Sequence, residues 1–212
     1  MISVATSRPV VELTVRERLV RAAAAVIDEV GEEQLTLAQV VRRAELTTGA
    51  VYSNFANREE LVIAVYVDEY SGRMWEGVVM LEQLLESDLR GPAFSGALTH
   101  YIIRPDDDRF RSSRWLRIRA VAATQRFPHV NRAMSELQTQ ITERLIDVVE
   151  RAQVRGDIDP ERDPRALALL LQQFGFALVL ADLSGDLAPD PDRWVELVHA
   201  LVIPLFAGRL AD

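Results

Sequence analysis

Thr47, Thr48, Tyr52 and Ser53 place four hydroxyl groups within seven residues, in the stretch LTTGAVYSNF at 46–55. If this stretch is a helix, Thr48, Gly49, Tyr52 and Ser53 lie on one side of it, because residues three and four apart are neighbours on a helix surface. That side is too polar for a core and too poor in charge for an ordinary solvent face. Its chemistry is hydrogen bonding without formal charge, and Gly49 and Ala50 keep the backbone slim enough for close approach. Such a surface suits the grooves of a DNA duplex. Thr48 and Ser53 can exchange hydrogen bonds with base edges, while the Tyr52 hydroxyl and the Thr47 hydroxyl can reach phosphate oxygens.

Other groupings do not assemble into a reactive site. His100, His129 and His199 are scattered with no metal-ligand spacing, and AFSGA lacks the GxSxG nucleophile elbow. Asp106-Asp107-Asp108-Arg109-Phe110 fails a DDxxD pattern at its fifth position. Asp157-x-Asp159-x-Glu161 begins like a calcium loop, but Arg162 stands where the loop needs glycine. There is no cysteine for a thiolate site or a disulfide. No catalytic residue, metal or cofactor is expected, and the chain reads as a non-enzyme.

The elements that must carry the hydroxyl strip are helices. Leu19, Ala23, Val26, Ile27 and Val30 recur at spacings of three and four, and Gly31 is placed to end that helix. Thr36 reads as the N-cap of LAQVVRRA, and Thr47 as the cap of the next helix, with Val51 and Phe55 as its buried pair. Asn57 and Glu60 read as the capping box of a long helix running from Arg58 to about Glu86. Further helices are expected over Pro92–Ile103, Phe110–Gln125, Val130–Val154, about Arg165–Leu183 and about Asp192–Arg209. The 3.6-residue period dominates everywhere and no sheet is expected, so the fold class is all-α. Two short helices joined by a tight turn, the second polar outside, form a helix-turn-helix, whose second helix lies in the major groove.

At these residues the chain resembles a known family. TLAQVVRRAELTTGAVYSNFANREELVIAV (36–65) is similar to the DNA-binding signature of TetR-family transcriptional regulators: a helix, a small-residue turn, a glycine-bearing recognition helix with Tyr52 and Phe55 three apart, and the Arg58-Glu59-Glu60-Leu61 start of the next helix. The resemblance covers about Val15 to Val65. It implies that Thr36, Thr47, Tyr52 and Arg58 fall on phosphate-contacting positions, and that Thr48, Ala50 and Ser53, next to Gly49, fall near base edges with Asn54 beside them. Two positions depart from the pattern. Glu45 stands where glycine is common, at a cost of roughly 1 kcal/mol if the backbone there is left-handed. Thr48 stands where a basic residue is frequent.

The charge pattern sets limits on the DNA contact. Net charge is −8, all 24 basic residues are arginine, and residues 1–60 hold seven Arg against nine Asp plus Glu. DNA contact must therefore be local, with a shallow salt dependence, since the slope tracks the number of phosphates neutralised.

Beyond the helix-turn-helix (10–56), residues 57–212 are expected to form an all-helical domain that binds an effector and dimerises. Ala166–Leu183 is apolar nearly all round, which calls for burial on every side. Together with the stripe Trp194, Leu197, Val198, Leu201, Val202, Leu205 and Phe206 it suggests a four-helix dimer interface, to which Leu170, Phe174 and Leu178 also belong. A membrane span is not expected, because Gln172, Gln173, Gly175 and Asp182 interrupt the segment. The N-terminus MISVATSRPV has neither the apolar core nor the basic lead of a secretory signal, and a cytoplasmic protein is expected. Seven arginines in 104–126 form a basic island, read mostly as a solvated face, with Arg119 the exception among Ile118, Val121 and Ala122. The resemblance implies an effector pocket in this domain, with Trp75, Tyr101, Trp115, Arg119 and Gln173 as its candidate contacts. The expectation is thus a ligand-responsive repressor, binding a pseudo-palindromic double-stranded DNA operator as a homodimer. An all-α small-molecule-binding protein, or an architectural DNA-binding protein without effector control, are the alternatives.

Overall fold

The structure is a computed structural model that describes residues 13–206 apart from 92, 95 and 98–107. All regular structure among the described residues is helical. Eight principal helices follow in order: α1 (Val15–Val30), α2 (Leu37–Ala44), α3 (Thr48–Asn54), α4 (Arg58–Glu86), α5 (Asp108–Thr124), α6 (Pro128–Val154), α7 (Pro164–Leu183) and α8 (Pro191–Phe206). Short 3-10 turns occupy Glu32–Gln34 and Gly185–Leu187. Tyr101 lies outside the described residues, as does most of the expected Pro92–Ile103 helix. The chain divides into two compact units, one ending at Asp68 and the other beginning at Glu69. The first turns of α4 thus belong to the N-terminal unit, where Leu61, Val62 and Val65 are buried, rather than to a second domain starting at residue 57.

In the N-terminal unit each helix is bounded by the groups that its sequence supplies. Thr14 caps α1 in a capping box: its hydroxyl accepts from Glu17 N–H, and the Glu17 carboxylate accepts from Thr14 N–H at 2.8 Å. These bonds hold the Glu17 carboxyl below the ordinary glutamate range. Gly31, at φ 84°, ends the helix where a side chain would be strained. Thr36 and Gln39 form the same box at α2, and the Thr47 hydroxyl accepts from Ala50 N–H at α3. Asn57 caps the start of α4, accepting from Glu60 N–H at 2.9 Å, and the Glu60 carboxylate accepts from Ala56 N–H. The core is built from Leu19, Ala23, Val26, Val40, Val51 and Phe55, all at or below 4% exposure.

Glu45 joins α2 to α3 at φ 54°, ψ 45°, the only left-handed non-glycine residue among those described. The turn needs this conformation, because it lets Leu46 N–H reach Val41 O at 3.0 Å and closes the end of α2. Glutamate bears the Cβ–carbonyl crowding that glycine would avoid. Glu45→Gly is accordingly expected to raise the unfolding free energy by about 0.5–1 kcal/mol, glycine's larger unfolded-state entropy offsetting part of the gain. Urea denaturation showing no gain would mean the turn is not strained.

The C-terminal unit packs around one core. Val78, Leu81 and Leu85 of α4 meet Phe94, then Ile141, Leu145, Val148 and Val149 of α6, Ile158 between the helices, Leu167, Ala168 and Leu171 of α7, and Val198 of α8. The stripe expected on α6 is the buried one, from Val130 and Met134 through Ile141 to Ala152, with Leu137 partly buried beside it. In the connection 156–164, residues 157–159 are buried and 160–163 are exposed. Asp157 is buried, accepts from Gly91 N–H at 2.8 Å and pairs with Arg155 at 2.7 Å.

Helix α7 is long and apolar enough to cross a membrane, with mean hydropathy 1.8. Here it turns Leu167, Ala168, Leu171, Leu178 and Val179 into the unit and leaves Leu169, Leu180 and Leu183 exposed. The expected interface set is therefore corrected in part. Leu178 is core, and Leu170 and Trp194 are half-buried against that core. Leu197 and Leu201 are exposed, as an interface requires. The side chains of Phe174 and Leu205 lie outside the described residues.

Candidate nucleic-acid interface

Three arginines bind backbone carbonyls of the N-terminal unit, two of them at helix C-termini, where the last carbonyls lack an intrahelical donor. Arg16 of α1 donates from Nη1 to Asn54 O at 2.8 Å, at the end of α3, and its guanidinium lies 4.2 Å over the Phe55 ring. Arg18 donates from Nη2 to Ala44 O at 2.5 Å, at the end of α2. Arg58 donates from Nε to Leu35 O at 2.9 Å and also to Glu32 O. Glu32 in turn accepts from the Tyr66 hydroxyl. A cation at a helix C-terminus also meets the negative end of the helix dipole. Val51 and Phe55 anchor the inner side of α3, and Arg16 holds its C-terminal end.

The outer side of α3 is the hydroxyl strip. Thr48, Gly49, Tyr52 and Ser53 are exposed, Tyr52 by 61%, and Ala50 and Asn54 are half-buried. The Ser53 hydroxyl donates to Gly49 O at 2.9 Å, leaving its oxygen lone pairs outward. The Asn54 amide donates to Ala50 O at 2.8 Å. Thr36 and Thr47 are exposed, their hydroxyls capping α2 and α3. Arg58 is a correction: its guanidinium is turned onto the carbonyls of Glu32 and Leu35, so it acts as a clamp within the unit. Arg43 is likewise occupied, forked onto Glu29 at 2.5 and 2.7 Å, which lowers the Glu29 carboxyl and raises the guanidinium.

Gly49 points outward from the protein. A Cβ built there would meet only the Thr47 Oγ1, at an ordinary 3.7 Å, so nothing inside the chain excludes a side chain. Glycine in a helix costs about 1 kcal/mol relative to alanine. The room it leaves is on the outer side, where a partner surface can approach. Gly49→Ala should raise stability by about 0.5–1 kcal/mol and weaken DNA binding in the same protein. Calorimetry and a binding titration showing tighter or equal binding would contradict that reading.

In the C-terminal unit a polar cluster sits within the apolar packing. The Tyr70 hydroxyl donates to Gln138 Oε1 at 3.2 Å, and Gln138 and Gln172 are bonded to each other and to Thr142. Arg117 donates to Gln172 O at 3.2 Å, contacts Met74 Sδ at 3.0 Å and lies 5.8 Å over the Tyr70 ring. Burial pushes the Tyr70 phenol up and the Arg117 guanidinium down, each offset by the other.

Two sequence expectations are corrected here by the register of the helices. Arg119 and Gln173 are exposed, and their neighbours Arg117 and Gln172 face inward. Trp75 packs partly buried on the core, and Trp115 is half-buried. A second inward arginine, Arg114, forks onto Asp182 at 2.6 and 3.0 Å, and Arg111 adds a contact at 3.2 Å. Sequence reasoning missed this pair; the signal was Asp182 within the apolar α7 run. Among the described residues no cluster of His, Cys, Asp or Glu could hold a metal.

Comparison with known proteins bears on the N-terminal geometry first. Residues 19–65 match the family described as bacterial regulatory proteins, tetR family. Over 195 residues the chain is 27% identical to the A-factor receptor protein of Streptomyces griseus, covering 88% of this chain and 63% of that protein. It thus spans less than two thirds of that receptor's length. It is 22% identical to the HTH-type transcriptional regulator UidR of Escherichia coli K12 over 81% of this chain and 82% of that one. The fold is shared with the solved structure of Salmonella enterica GusR, at TM-score 0.59 and 20% identity, over 95% of this chain and 98% of that one.

Proposed function

The chain belongs to the TetR family of DNA-binding transcriptional regulators, and from that premise we propose that it is a ligand-responsive repressor that binds a pseudo-palindromic operator as a homodimer. The observation that carries the reading is the outer side of α3: an exposed Tyr52 flanked by small neutral residues, on a helix whose inner side is buried and whose C-terminal end is held by Arg16. In this arrangement Thr48, Gly49, Ala50 and Ser53 meet base edges in the major groove. Tyr52, Thr47 and Thr36 meet the sugar-phosphate backbone, and Asn54 borders the contact.

Pairing of two chains is supported by the exposed leucines of the C-terminal unit. Leu169, Leu180 and Leu183 of α7, with Leu197 and Leu201 of α8, are between 54% and 69% exposed. A second copy covers them, with Leu170 and Trp194 at the border and Phe174 and Leu205 on the same two helices. A two-fold dimer presents two α3 helices to two half-sites, hence the palindrome.

The effector site draws on the polar cluster of Tyr70, Arg117, Gln138 and Gln172, with Trp75 and Trp115 as apolar walls. An effector that favours one conformation of α4, a helix contributing residues to both units, would change operator affinity by a coupling of about 1–3 kcal/mol. The protein acts in the cytoplasm, where its DNA is. The test is selection of bound duplexes from a random pool by the full-length chain. An enriched inverted repeat is expected. Enrichment without a repeat rejects the dimeric operator, and no enrichment rejects the DNA reader.

A further inference from the structure

We propose that each operator half-site is distinguished mainly by thymine 5-methyl groups seated against Thr48, Ala50 and Tyr52, not by forked hydrogen bonds to guanine or adenine. The inference rests on α3 being the helix that enters the major groove, and it adds what that helix reads there.

Forked recognition of a purine requires a guanidinium or ammonium for guanine, or a side-chain amide for adenine. The exposed part of α3 has neither; it carries Thr48, Gly49, Tyr52 and Ser53. The only amide on the helix, Asn54, is half-buried with its NH₂ donating to Ala50 O at 2.8 Å. Two arginines of α1 are turned to carbonyls, Arg16 to Asn54 O at the end of α3 and Arg18 to Ala44 O at the end of α2. What remains outward is a methyl on Thr48, a methyl on Ala50, the ring of Tyr52 and the space left by Gly49. In the major groove the apolar feature these can meet is the thymine 5-methyl. Ser53 adds a directional element. Its hydroxyl hydrogen goes to Gly49 O at 2.9 Å, so its oxygen faces the groove as an acceptor, suited to the amino group of adenine or cytosine.

The experiment uses the duplex obtained by selection with the full-length protein. Each thymine of a half-site is replaced by uracil, which removes only the 5-methyl, and each purine by its 7-deaza analogue, which removes the N7 acceptor. Each methyl against α3 should be worth about fourfold in Kd, so one per half-site gives about 15-fold for the dimer. The deazapurine duplexes should bind within twofold of the parent. Thr48→Ser, which keeps the hydroxyl and deletes the methyl, should shrink the uracil penalty at one position and leave the others. The proposal is overturned if uracil duplexes bind like the parent, or if a 7-deazapurine costs more than any uracil. Failure to select any duplex would instead remove the underlying DNA-reading assignment, so the two failures are distinguishable.

Discussion

Tyr52→Ala is expected to weaken operator binding by roughly 100- to 1,000-fold while leaving the fold intact. The side chain is 61% exposed and makes no contact on which the N-terminal core depends. Its loss should therefore move stability by no more than about 0.5 kcal/mol, as for other surface substitutions. On DNA the same side chain contributes a phenolic hydrogen bond of about 1 kcal/mol and an apolar contact of about 1 kcal/mol. Both are doubled in a two-fold complex, giving about 4 kcal/mol, or three decades at most. Tyr52→Phe separates the two contributions by keeping the ring. A folded Tyr52→Ala protein with parental operator affinity would place the contact surface elsewhere.

The second large effect is on stability. Asp182→Asn should destabilise the protein by about 3 kcal/mol. Arg114 and Asp182 are 3% and 4% exposed, and the guanidinium grips the carboxylate through two nitrogens. Neutralising one partner of a buried pair leaves the other charge desolvated without its compensation, a loss of about 3–5 kcal/mol. Hydrogen bonds from Arg114, with help from Arg111, hold the Asp182 carboxyl below the ordinary 3.8. A carboxyl depressed in the folded state contributes stability above its unfolded value, and that contribution disappears as pH falls through the folded value. The parent should therefore lose stability with acid below about pH 3.8, and the Asp182→Asn protein should show a smaller change over that range. Denaturant midpoints measured from pH 7 down to pH 2 decide it. Equal midpoints for the two proteins at pH 7 would refute the role assigned to the pair.

Much of the N-terminal unit was legible in the sequence because its determinants are local. Thr36, Thr47 and Asn57 cap the helices they precede, Gly31 ends α1, and Val51 with Phe55 turns α3 inward. Each depends on a partner within four or five residues. The C-terminal unit was less legible, for a physical reason. Arg114, Arg117 and Gln172 are long polar side chains in positions that a hydrophobic pattern assigns to solvent, yet each satisfies a partner far along the chain. An inward arginine breaks the apolar period of its helix, and the apparent stripe then shifts. Arg119 looked interior because Ile118, Val121 and Ala122 adjoin it in sequence, although residues one or two apart point to different sides of a helix. Gln173 was chosen over Gln172 for want of the same long-range contact. Helix α7 was apolar on so many sides that no pattern could separate Leu178, which is core, from Leu180, which is not.

The clamps of the N-terminal unit have a consequence for its chemistry as a surface in the cell. Arg16, Arg18 and Arg58 hold the carbonyls of Asn54, Ala44 and Leu35, and no lysine is present anywhere in the chain. The clamps that position the reading helix therefore offer no side-chain amine through which acetyl transfer could loosen them.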